Sequence, residues 1–598
     1  MFQRIAIVNR GEAAMRLIHA VRDLNAEGIV EPITTIALHT DGERSAMFVR
    51  EADEAYSLGA AADRPYLNHD FLARVLVEAR ADAVWPGWGF VAEDAAFAER
   101  MRELGITFIG PSPEAMRKLG DKIGSKLLAE EVGVPVAPWS GGGVDTLDDA
   151  LAAAEHIGYP LMLKATAGGG GRGIRRVNSV AELEDAYQRT RDEAERAFGS
   201  GTVFLERLVT DARHVEVQLI ADSHGNAWAL GVRDCSIQRR NQKVLEESAS
   251  PLLSREQSDE LKAAAERLAL AVGYVGAGTV EFLYQPDERT FAFLEVNTRL
   301  QVEHSVTELT NDFDLVRAQL RVAAGEALDE RPSEFGHAIE ARLNAEDPDR
   351  DFAPAPGRIA HLSFPVGPGI RVDTGVAQGD EIPADFDSMI AKIIAYGRTR
   401  DEALARLRRA LSDTTVVIEG GASNKSFLLA LLNRPEVTGH NAQRWADTAW
   451  IDRTRDAGGL VADQHAEIAL IAAAIEACEE QERTEIAHLI ESARGGRPLT
   501  AHKPVTQCEL KLRGTSYKLT CARIGEHTFR VGMHDHHVRV QLDRLDDARA
   551  RIAVEGQRHK LVVATHGPVH FVEVDGVAHR ISRDEGGVLR APAPALVA

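Results

Sequence analysis

Two glutamates and an asparagine lie on facing runs of one short segment, Thr279–His304. An apolar run ends at a polar turn over residues 285–288 and a second apolar run follows, which predicts a β-hairpin. Pairing around that turn places Glu281 opposite Glu295, with Asn297 on the same face as Glu295. Opposed carboxylates destabilise a sheet unless a cation bridges them, and such oxygen ligands suit Mg²⁺ that also binds phosphates. The alternative is a solvated hairpin face with incidental acids, which the apolar neighbours of both glutamates disfavour.

A glycine-rich loop follows the apolar run that ends at Leu163. Glycines let backbone N–H groups approach phosphate oxygens closely, and Lys164 at the strand end supplies a point charge for a phosphate. The predicted phosphate-binding glycines are Gly168, Gly169, Gly170 and Gly171. The spacing matches neither common phosphate-loop pattern, so a flexible surface loop is the alternative. A metal site elsewhere in the same chain favours the phosphate interpretation.

Two further segments carry charges that fit an anion. The run Arg233–Lys243 is dense in cations, which by itself is more typical of a solvated face. Arg299 follows the acidic hairpin, and its guanidinium can fork onto a carboxylate-like anion such as bicarbonate. Glu303 lies a few residues further and can serve as a general base.

The elements that must position these residues begin with a strand over residues 3–8, a helical pattern to Leu24 and a strand over Thr34–His39. This is a β-α-β opening. A single helix is expected over residues 114–131, and short alternating runs after residue 505 predict a small antiparallel barrel. The fold class is therefore α/β with a β-rich tail.

Composition excludes several classes of protein. The 598 residues carry a formal net charge of −22, which argues against nucleic acid or an anionic membrane as the main partner. No C-x-x-C pair occurs among four cysteines, which fits reduced thiols in the cytoplasm rather than zinc or disulfides. No apolar run reaches about 18 residues, so no membrane span is expected. Alternating exposed strand faces, rather than metal binding, are expected to explain the histidines of the barrel: His534, His536, His537, His559, His566 and His570.

The ordered motifs resemble the biotin carboxylase component of biotin-dependent acyl-CoA carboxylases, within the ATP-grasp superfamily. The resemblance covers roughly residues 1–447 and rests on Asn9–Glu12, Gly110–Pro113, Gly120–Lys122, Lys164–Gly173, Arg213–Glu216, Arg233–Lys243, Glu295–His304 and Glu340–Asp347. It implies an N-terminal β-α-β domain over 1–115, an ATP-grasp region over 116–333 with a lid at about 140–205, and a carboxylase C-terminal domain over 334–447. A helical segment over 460–498, an interaction barrel over 505–585 and the start of a biotinyl domain over 589–598 are expected to follow.

The resemblance also implies a role for each matching residue. The residues expected to bind ATP, besides the glycine loop, are Lys122 and Lys164 at the phosphates, Glu206 and Leu208 at adenine through their backbone, and His214 with Gln238 at the ribose. The residues expected to hold bicarbonate are Lys243, Arg299, Gln301, Val302 and Glu303, with Glu303 as the base. Arg342 is expected to stabilise the enolate of biotin, and Glu281, Glu295 and Asn297 to hold the metal. Trp85 and Trp88 stand where the family commonly has histidine and tyrosine.

The implied reaction is the first half-reaction of an acyl-CoA carboxylase. Bicarbonate attacks the γ-phosphate of ATP to give carboxyphosphate, which breaks down beside biotin in a closed, dry site. The cofactors are ATP, Mg²⁺ or Mn²⁺, and biotin on a carrier domain outside this chain, since no Met-Lys-Met occurs. The expected partners are that biotin carboxyl carrier domain and a carboxyltransferase, in an oligomeric assembly.

Two other functions remain open at this stage. A carbamoyl-phosphate-forming synthase shares the nucleotide residues but not Arg299, Glu303 and Arg342 together. An interaction scaffold without catalysis is disfavoured by the completeness of the site. The acyl-CoA substrate is not readable, because that substrate binds the carboxyltransferase.

Overall fold

The computed structural model describes residues 2–28, 31–166, 173–461, 463–496 and 503–583. Chain contacts divide these residues into two compact units. The first comprises residues 1–343, 366–407 and 434–459, and the second comprises 344–365, 408–433 and the tail from 460. No helix of the described ranges is both long and apolar enough to cross a membrane.

The first unit opens with a five-stranded parallel sheet of order β3-β2-β1-β4-β5. This confirms the β-α-β opening, because each parallel connection carries a helix. The elements are β1 Arg4–Ile7, α1 Gly11–Glu27, β2 Thr34–His39, α2 Met47–Glu51, β3 Glu54–Ser57, α3 His69–Glu78, β4 Ala83–Trp85, α4 Ala95–Glu103 and β5 Thr107–Phe108.

Two helices replace the single helix expected over residues 114–131. Asp121 interrupts the run in an extended conformation, and its side chain accepts a hydrogen bond from the N–H of Ile123 as an N-cap. A three-stranded sheet of order β7-β6-β8 follows. The elements are α5 Pro113–Gly120, α6 Lys122–Glu131, α7 Leu147–Ile157, β6 Leu161–Ala165, β7 Ile174–Val177, α8 Val180–Phe198 and β8 Val203–Arg207.

An eight-stranded sheet of order β13-β12-β9-β10-β11-β14-β19-β18 carries most of the predicted site. Strand β9 is buried along its whole length, because helix α9 packs against it and charged partners cover its polar side chains. The elements up to β14 are β9 Arg213–Ala221, β10 Ala227–Arg239, β11 Gln242–Ser248, α9 Arg255–Ala271, β12 Gly276–Gln285, β13 Thr290–Asn297, α10 His304–Asn311, α11 Leu315–Ala323 and β14 His337–Asn344.

The chain from residue 345 to 459 alternates between the two units. Its elements are β15 Glu346–Asp347, β16 Ala353–Pro354, β17 Ile359–Ser363, β18 Ile370–Thr374, β19 Met389–Gly397, α12 Arg400–Asp413, β20 Thr415–Ile418, α13 Lys425–Leu432, α14 Pro435–Thr438 and α15 Trp450–Asp456.

The tail forms a closed eight-stranded antiparallel barrel around one end of a long helix. Helix α16, Ala466–Arg494, buries only residues between Ile468 and Cys478, and its last turns are exposed or half-buried. The barrel strands are β21 Thr506–Leu512, β22 Thr515–Gly525, β23 Thr528–Met533, β24 His536–Arg544, β25 Arg549–Val554, β26 Gln557–His566, β27 Val569–Val574 and β28 Val577–Arg583. The predicted barrel is therefore present, whereas residues 589–598 lie outside the described ranges.

The barrel contacts helix α13 within the second unit. Lys425 at the start of α13 is buried, and its Nζ lies 2.6 Å from Oε1 of Glu573 in β27. The N–H of Ala578 donates to Oγ of Ser426 at 3.2 Å. The barrel is thus fastened to the preceding part of the chain by polar contacts as well as by its apolar core.

Candidate active site

The hairpin of β12 and β13 places Glu281 directly opposite Glu295, as predicted, with a register shift between Glu281 and Phe282. Asn297 Nδ2 donates to Glu281 Oε1 at 2.8 Å. Glu281 is buried, while Glu295 keeps an exposed surface. Its desolvated surroundings and the Glu281 carboxylate nevertheless raise the pKa of Glu295. Two acids with one open side fit a magnesium ion that takes its other ligands from phosphates and water.

Cationic and polar neighbours keep Glu281 ionised. Lys243 Nζ lies 3.3 Å from Oε1, and His214 Nε2 lies 2.9 Å from Oε2. Burial opposes ionisation, but Lys243 and His214 outweigh it and lower the pKa of Glu281 well below its ordinary value. Gln301 Nε2 also donates to Oε1 at 2.8 Å. Glu281 is therefore an anionic ligand at neutral pH.

Lys243 and Arg342 converge on Glu303. Lys243 Nζ lies 2.5 Å from Glu303 Oε1, and Nη2 of Arg342 lies 2.9 Å from Oε2. Burial disfavours the carboxylate, yet the two cations lower the pKa of Glu303 well below its usual range. Glu303 is thus ionised and able to accept a proton. The side chains come from β11, β14 and the start of α10, so three elements meet at one carboxylate.

A second layer of buried charges holds this centre in place. Lys243 Nζ is 2.6 Å from Glu216 Oε2, and Glu216 Oε1 accepts from Nε of Arg233 at 2.6 Å. Arg233 has no exposed surface and also reaches Gln301 Oε1 at 2.9 Å. The run Arg233–Lys243 is therefore not a solvated face at these positions. Glu216, which neutralises these cations, lies outside the run, on the adjacent strand β9.

Behind Arg342 lies a pair of carboxyl groups that the sequence did not reveal. Glu246 Oε1 accepts from Nε of Arg342 at 2.5 Å, and Glu246 is paired with Glu340 across β11 and β14. Burial, opposed by Arg342, raises the pKa of Glu246 to about 7. Burial also raises the pKa of Glu340 well above its usual range. Glu340 is thus the neutral member of the pair, which prevents repulsion between two buried anions.

Arg299 and Val302 contact residues that sequence reasoning missed. Arg299 Nε donates to Glu93 Oε2 at 3.0 Å, and Glu93 Oε1 accepts from the N–H of Thr298 at 3.0 Å. The carbonyl of Val302 accepts from Nζ of Lys392 at 2.8 Å. Arg299 therefore faces Glu93, whereas the cations that contact Glu303 are Lys243 and Arg342. No local sequence signal links Glu93 to Arg299, which lies about 200 residues away.

The predicted nucleotide residues fall into two groups. Lys164 Nζ is hydrogen-bonded to Glu206 Oε1, and Lys126, which was not predicted, lies 2.8 Å from Oε2. Burial lowers the pKa of Lys122, while Glu295 opposes this shift and Lys164 adds to it. The N–H of Leu208 donates to the carbonyl of Pro160 at 3.1 Å.

His214 and Gln238 lie together, as expected for a shared ligand. Gln238 Nε2 is 2.6 Å from Nδ1 of His214. Burial opposes protonation of the imidazole, but Glu281 outweighs it and raises the pKa of His214. The glycines Gly168, Gly169, Gly170 and Gly171 lie outside the described residues.

A cavity of about 480 Å³ opens beside Arg342 and Val302. Its aromatic wall comprises Trp88, Phe90 and Phe386. A cavity of this size, with apolar walls and a few charged side chains that include Arg10 and Arg342, has the character of a small-molecule subsite. The cavity therefore leads from bulk solvent to the Arg342 guanidinium that contacts Glu303.

Family models match nearly all of the chain up to residue 453. The N-terminal domain of biotin carboxylase matches residues 1–116, and the C-terminal domain of biotin carboxylase matches residues 340–453. The ATP binding domain of the carbamoyl-phosphate synthase L chain matches residues 121–331.

Individual proteins match the same region. Biotin carboxylase 1 of Bacillus subtilis is 46% identical over 436 residues, which are 72% of this chain and 95% of that protein. The biotin-dependent acyl-coenzyme A carboxylase alpha3 subunit of Mycobacterium leprae is 42% identical over 455 residues, 75% of this chain and 74% of that protein. The solved biotin carboxylase domain dimer of Hydrogenobacter thermophilus 2-oxoglutarate carboxylase, in complex with MgADP, ADP and bicarbonate, is 38% identical. It has a TM-score of 0.71 and covers 76% of this chain and 98% of that one.

Proposed function

This chain belongs to the biotin carboxylase family and carboxylates biotin at the expense of ATP, and on that premise we propose that it serves an acyl-CoA carboxylase through the site centred on Glu303. The observation that carries the site assignment is the convergence of Lys243 and Arg342 on the Glu303 carboxylate. Two fixed cations and a base at one point suit a small anion that must lose a proton.

In the proposed first step, bicarbonate binds beside Glu303, at the ammonium group of Lys243. Lys243 and Arg299 bind its negative charge, and Glu303 accepts its proton. Once the bound anion shares the charge of Lys243, Glu303 is less strongly stabilised as a carboxylate and becomes a better base. The bicarbonate oxygen then attacks the γ-phosphorus of ATP, ADP leaves, and carboxyphosphate forms. Gln301 and the backbone of Val302 complete the anion site.

The nucleotide is held by the groups on the other side of the hairpin. In this proposal Lys122 and Lys164 contact phosphate oxygens, and His214 with Gln238 contacts the ribose. Glu281, Glu295 and Asn297 hold the metal ion. When bound, Mg²⁺ neutralises charge on the β- and γ-phosphate oxygens. Glu206 fixes the ammonium groups of Lys164 and Lys126 before the nucleotide arrives, which lowers the entropic cost of ordering them.

Biotin is proposed to enter the cavity beside Arg342. Carboxyphosphate breaks down to CO₂ and phosphate, the released phosphate takes the proton from the ring nitrogen of biotin, and that nitrogen attacks the CO₂. Arg342 stabilises the negative charge that develops on the ureido oxygen. Glu246 holds Arg342 through its Nε, which leaves the outer face of the guanidinium directed to Glu303 and the cavity.

The assignment to an acyl-CoA carboxylase draws on the tail as well as on the site. The relative from Mycobacterium leprae is named as an acyl-coenzyme A carboxylase subunit, whereas the solved relative from Hydrogenobacter thermophilus belongs to a 2-oxoglutarate carboxylase. The helix and barrel after residue 460 resemble the interaction domain of some acyl-CoA carboxylases, and a strand-rich surface is a common docking platform. We therefore expect the tail to bind the carboxyltransferase and the carrier domain to deliver biotin.

Isotope-labelled bicarbonate shows which class of acceptor molecule receives the carboxyl group. With the cognate carrier and carboxyltransferase present, label should pass to an acyl-CoA and not to 2-oxoglutarate or pyruvate. Transfer to either oxo acid would overturn the acyl-CoA assignment while leaving biotin carboxylation intact.

Deleting the chain from residue 460 tests the tail. The deletion removes Glu573, so the buried Lys425 loses its partner, and a matched truncation should therefore also carry Lys425→Met. We expect the truncated Lys425→Met chain to carboxylate free biotin and to lose co-purification with the carboxyltransferase. A folded truncation without free-biotin carboxylation would show that the tail supports the active site. Unchanged co-purification would remove the docking role.

A further inference from the structure

Three possible metal-binding side chains converge at one end of the barrel, outside the active site. They are His465 at the start of α16, His559 in β26 and Asp575 in the turn between β27 and β28. A nitrogen of each imidazole and a carboxylate oxygen lie within 4.8 Å of one another. We propose that these residues form a zinc-binding site that clamps helix α16 to the barrel.

The chemistry of the donors selects the class of ion. Two imidazoles and one carboxylate suit Zn²⁺, which takes such ligands at about 2.0–2.2 Å and fills the fourth tetrahedral position with water. Calcium and magnesium prefer sites made of oxygens alone. Nδ1 of His559 and Oδ2 of Asp575 are already 2.7 Å apart, and the imidazole rings of His559 and His465 have centroids 5.1 Å apart. Small side-chain rotations suffice to bring all three donors onto one ion.

Asp575 is fixed in place from both sides. Its Oδ1 accepts from the N–H of Lys560 at 2.8 Å, which leaves Oδ2 for His559 or an ion. Its own N–H donates to the carbonyl of Lys560 at 2.9 Å. The next residue, Gly576, packs so closely on α13 that an added Cβ would lie 2.7 Å from Cδ1 of Leu429. A ligand held by such contacts is pre-organised for binding.

His465 has an uncommon backbone conformation at the start of α16, beside His559 and Asp575. Its φ of 63° lies in the left-handed region, which few residues with a Cβ adopt. The residue before it is anchored as well, because Nε2 of His579 lies 2.9 Å from the carbonyl of Gln464. The positive end of the α16 dipole opposes a cation, and the Asp575 carboxylate supplies the charge that offsets it.

This site changes the interpretation of the barrel histidines. Exposed strand faces explain His534, His536 and His537, which are exposed, but not His570, which is fully buried. Burial lowers the pKa of His570 to about 4, so it is a neutral core residue. The side chain of His559 is only 9% exposed, and its neighbours are the donors named above. One barrel histidine is thus a candidate ligand despite the lack of a repeated ligand spacing in the sequence.

The experiment uses the full chain, freed of metal by a chelator and titrated with zinc chloride in the absence of nucleotide. Because the active-site acids can also bind zinc, the readout is the difference between variants in stoichiometry and affinity by calorimetry. Cobalt chloride provides a second readout, since tetrahedral cobalt absorbs strongly in the visible range. His559→Ala and Asp575→Asn remove one ligand each, and His527→Ala removes an exposed histidine from another hairpin as the control.

We expect wild type and His527→Ala to bind one zinc that both ligand variants hold at least about 10- to 100-fold more weakly. The visible cobalt bands should be weaker in both ligand variants, and zinc should raise the melting temperature of wild type and His527→Ala but not of the ligand variants. Biotin-dependent ATP hydrolysis shows whether each variant is folded. If His559→Ala does not fold, Asp575→Asn still tests the site, because asparagine tolerates the positive φ of residue 575. Equal zinc affinity and equal cobalt spectra in wild type and both ligand variants would overturn the proposal.

Discussion

In strand β9 every residue from Arg213 to Ala221 is buried, whereas in barrel strand β21 buried and exposed residues alternate. Strand β9 carries polar side chains, among them Glu216 and Gln218, with no exposed surface. The barrel interior is lined by apolar side chains such as Leu510, Val540 and Ile552. Two β-rich regions of one chain are thus stabilised differently, one by matched buried charges and one by apolar burial.

The difference shows which region of the chain is arranged for catalysis at a cost in stability. A buried charge is costly unless partners neutralise it, and the desolvation cost can exceed the attraction. The sheet around Glu303 accepts that cost because pre-oriented charges need no rearrangement when charge develops in the reaction. The barrel takes no part in the proposed reaction, and apolar contacts stabilise it without the cost of burying charges. Removing one charge should therefore affect catalysis in the first region and folding in the second.

The largest effect is expected at the reactive centre. Glu303→Gln keeps the shape of the side chain but cannot accept a proton, so biotin-dependent ATP hydrolysis should fall by about 10²–10⁴-fold. Nucleotide binding, measured by titration, should change little. The exposed acid substitution Glu330→Gln is the control. A Glu303→Gln rate close to wild type would show that this carboxylate is not the base.

Breaking the buried ion pair of the second unit should affect stability rather than rate. Glu573→Ala leaves the ammonium of Lys425 buried without its carboxylate, and such a change costs about 3–5 kcal/mol in the free energy of unfolding. Urea unfolding followed by circular dichroism measures it. Lys560→Ala removes a largely exposed pair with Asp413 and should cost less than about 1 kcal/mol.

A double variant sharpens this test. Lys425→Met with Glu573→Leu replaces both charges by apolar groups and should recover most of the lost stability. If the double variant is no more stable than Glu573→Ala, the loss reflects packing rather than an unpaired charge.

The smallest of these effects concerns the metal. Glu295→Ala removes the more exposed hairpin acid and should lower ATP hydrolysis by about 10- to 100-fold at limiting Mg²⁺. Raising the Mg²⁺ concentration should restore part of the activity, because Glu281 and Asn297 remain. Activity lost without any change in Mg²⁺ dependence would mean that Glu295 has a structural role.

Local periodicity in the sequence was enough to predict two parts of the structure. The turn after Gln285 and the two apolar runs predict the hairpin, but the pairing of Glu281 with Glu295 also depends on a register shift between Glu281 and Phe282, which periodicity does not show. The alternation after residue 505 likewise predicts the barrel. The break between α5 and α6 was missed, since it depends on the extended conformation of one capping residue, Asp121.

Contacts between distant segments explain what the sequence could not reveal. Arg233 belongs to a run that is typical of a solvated face, yet Glu216 on the adjacent strand neutralises it. Glu93 binds Arg299 from a turn before α4, and Glu340 is paired with Glu246 only because β14 lies beside β11. A single sequence shows which residues are charged, but the partner of each charge depends on strand order.

Helix α16 buries its first half in the barrel and extends beyond it from about Glu482 to Arg494. That outer part is about 20 Å long, and an isolated helix of this length is only marginally stable in water. Amide hydrogens near Ala473 should therefore exchange with deuterium only when the whole unit opens, whereas those near Ile490 should exchange through local fraying. One continuous helix would then show two exchange regimes, with the boundary where the barrel ends.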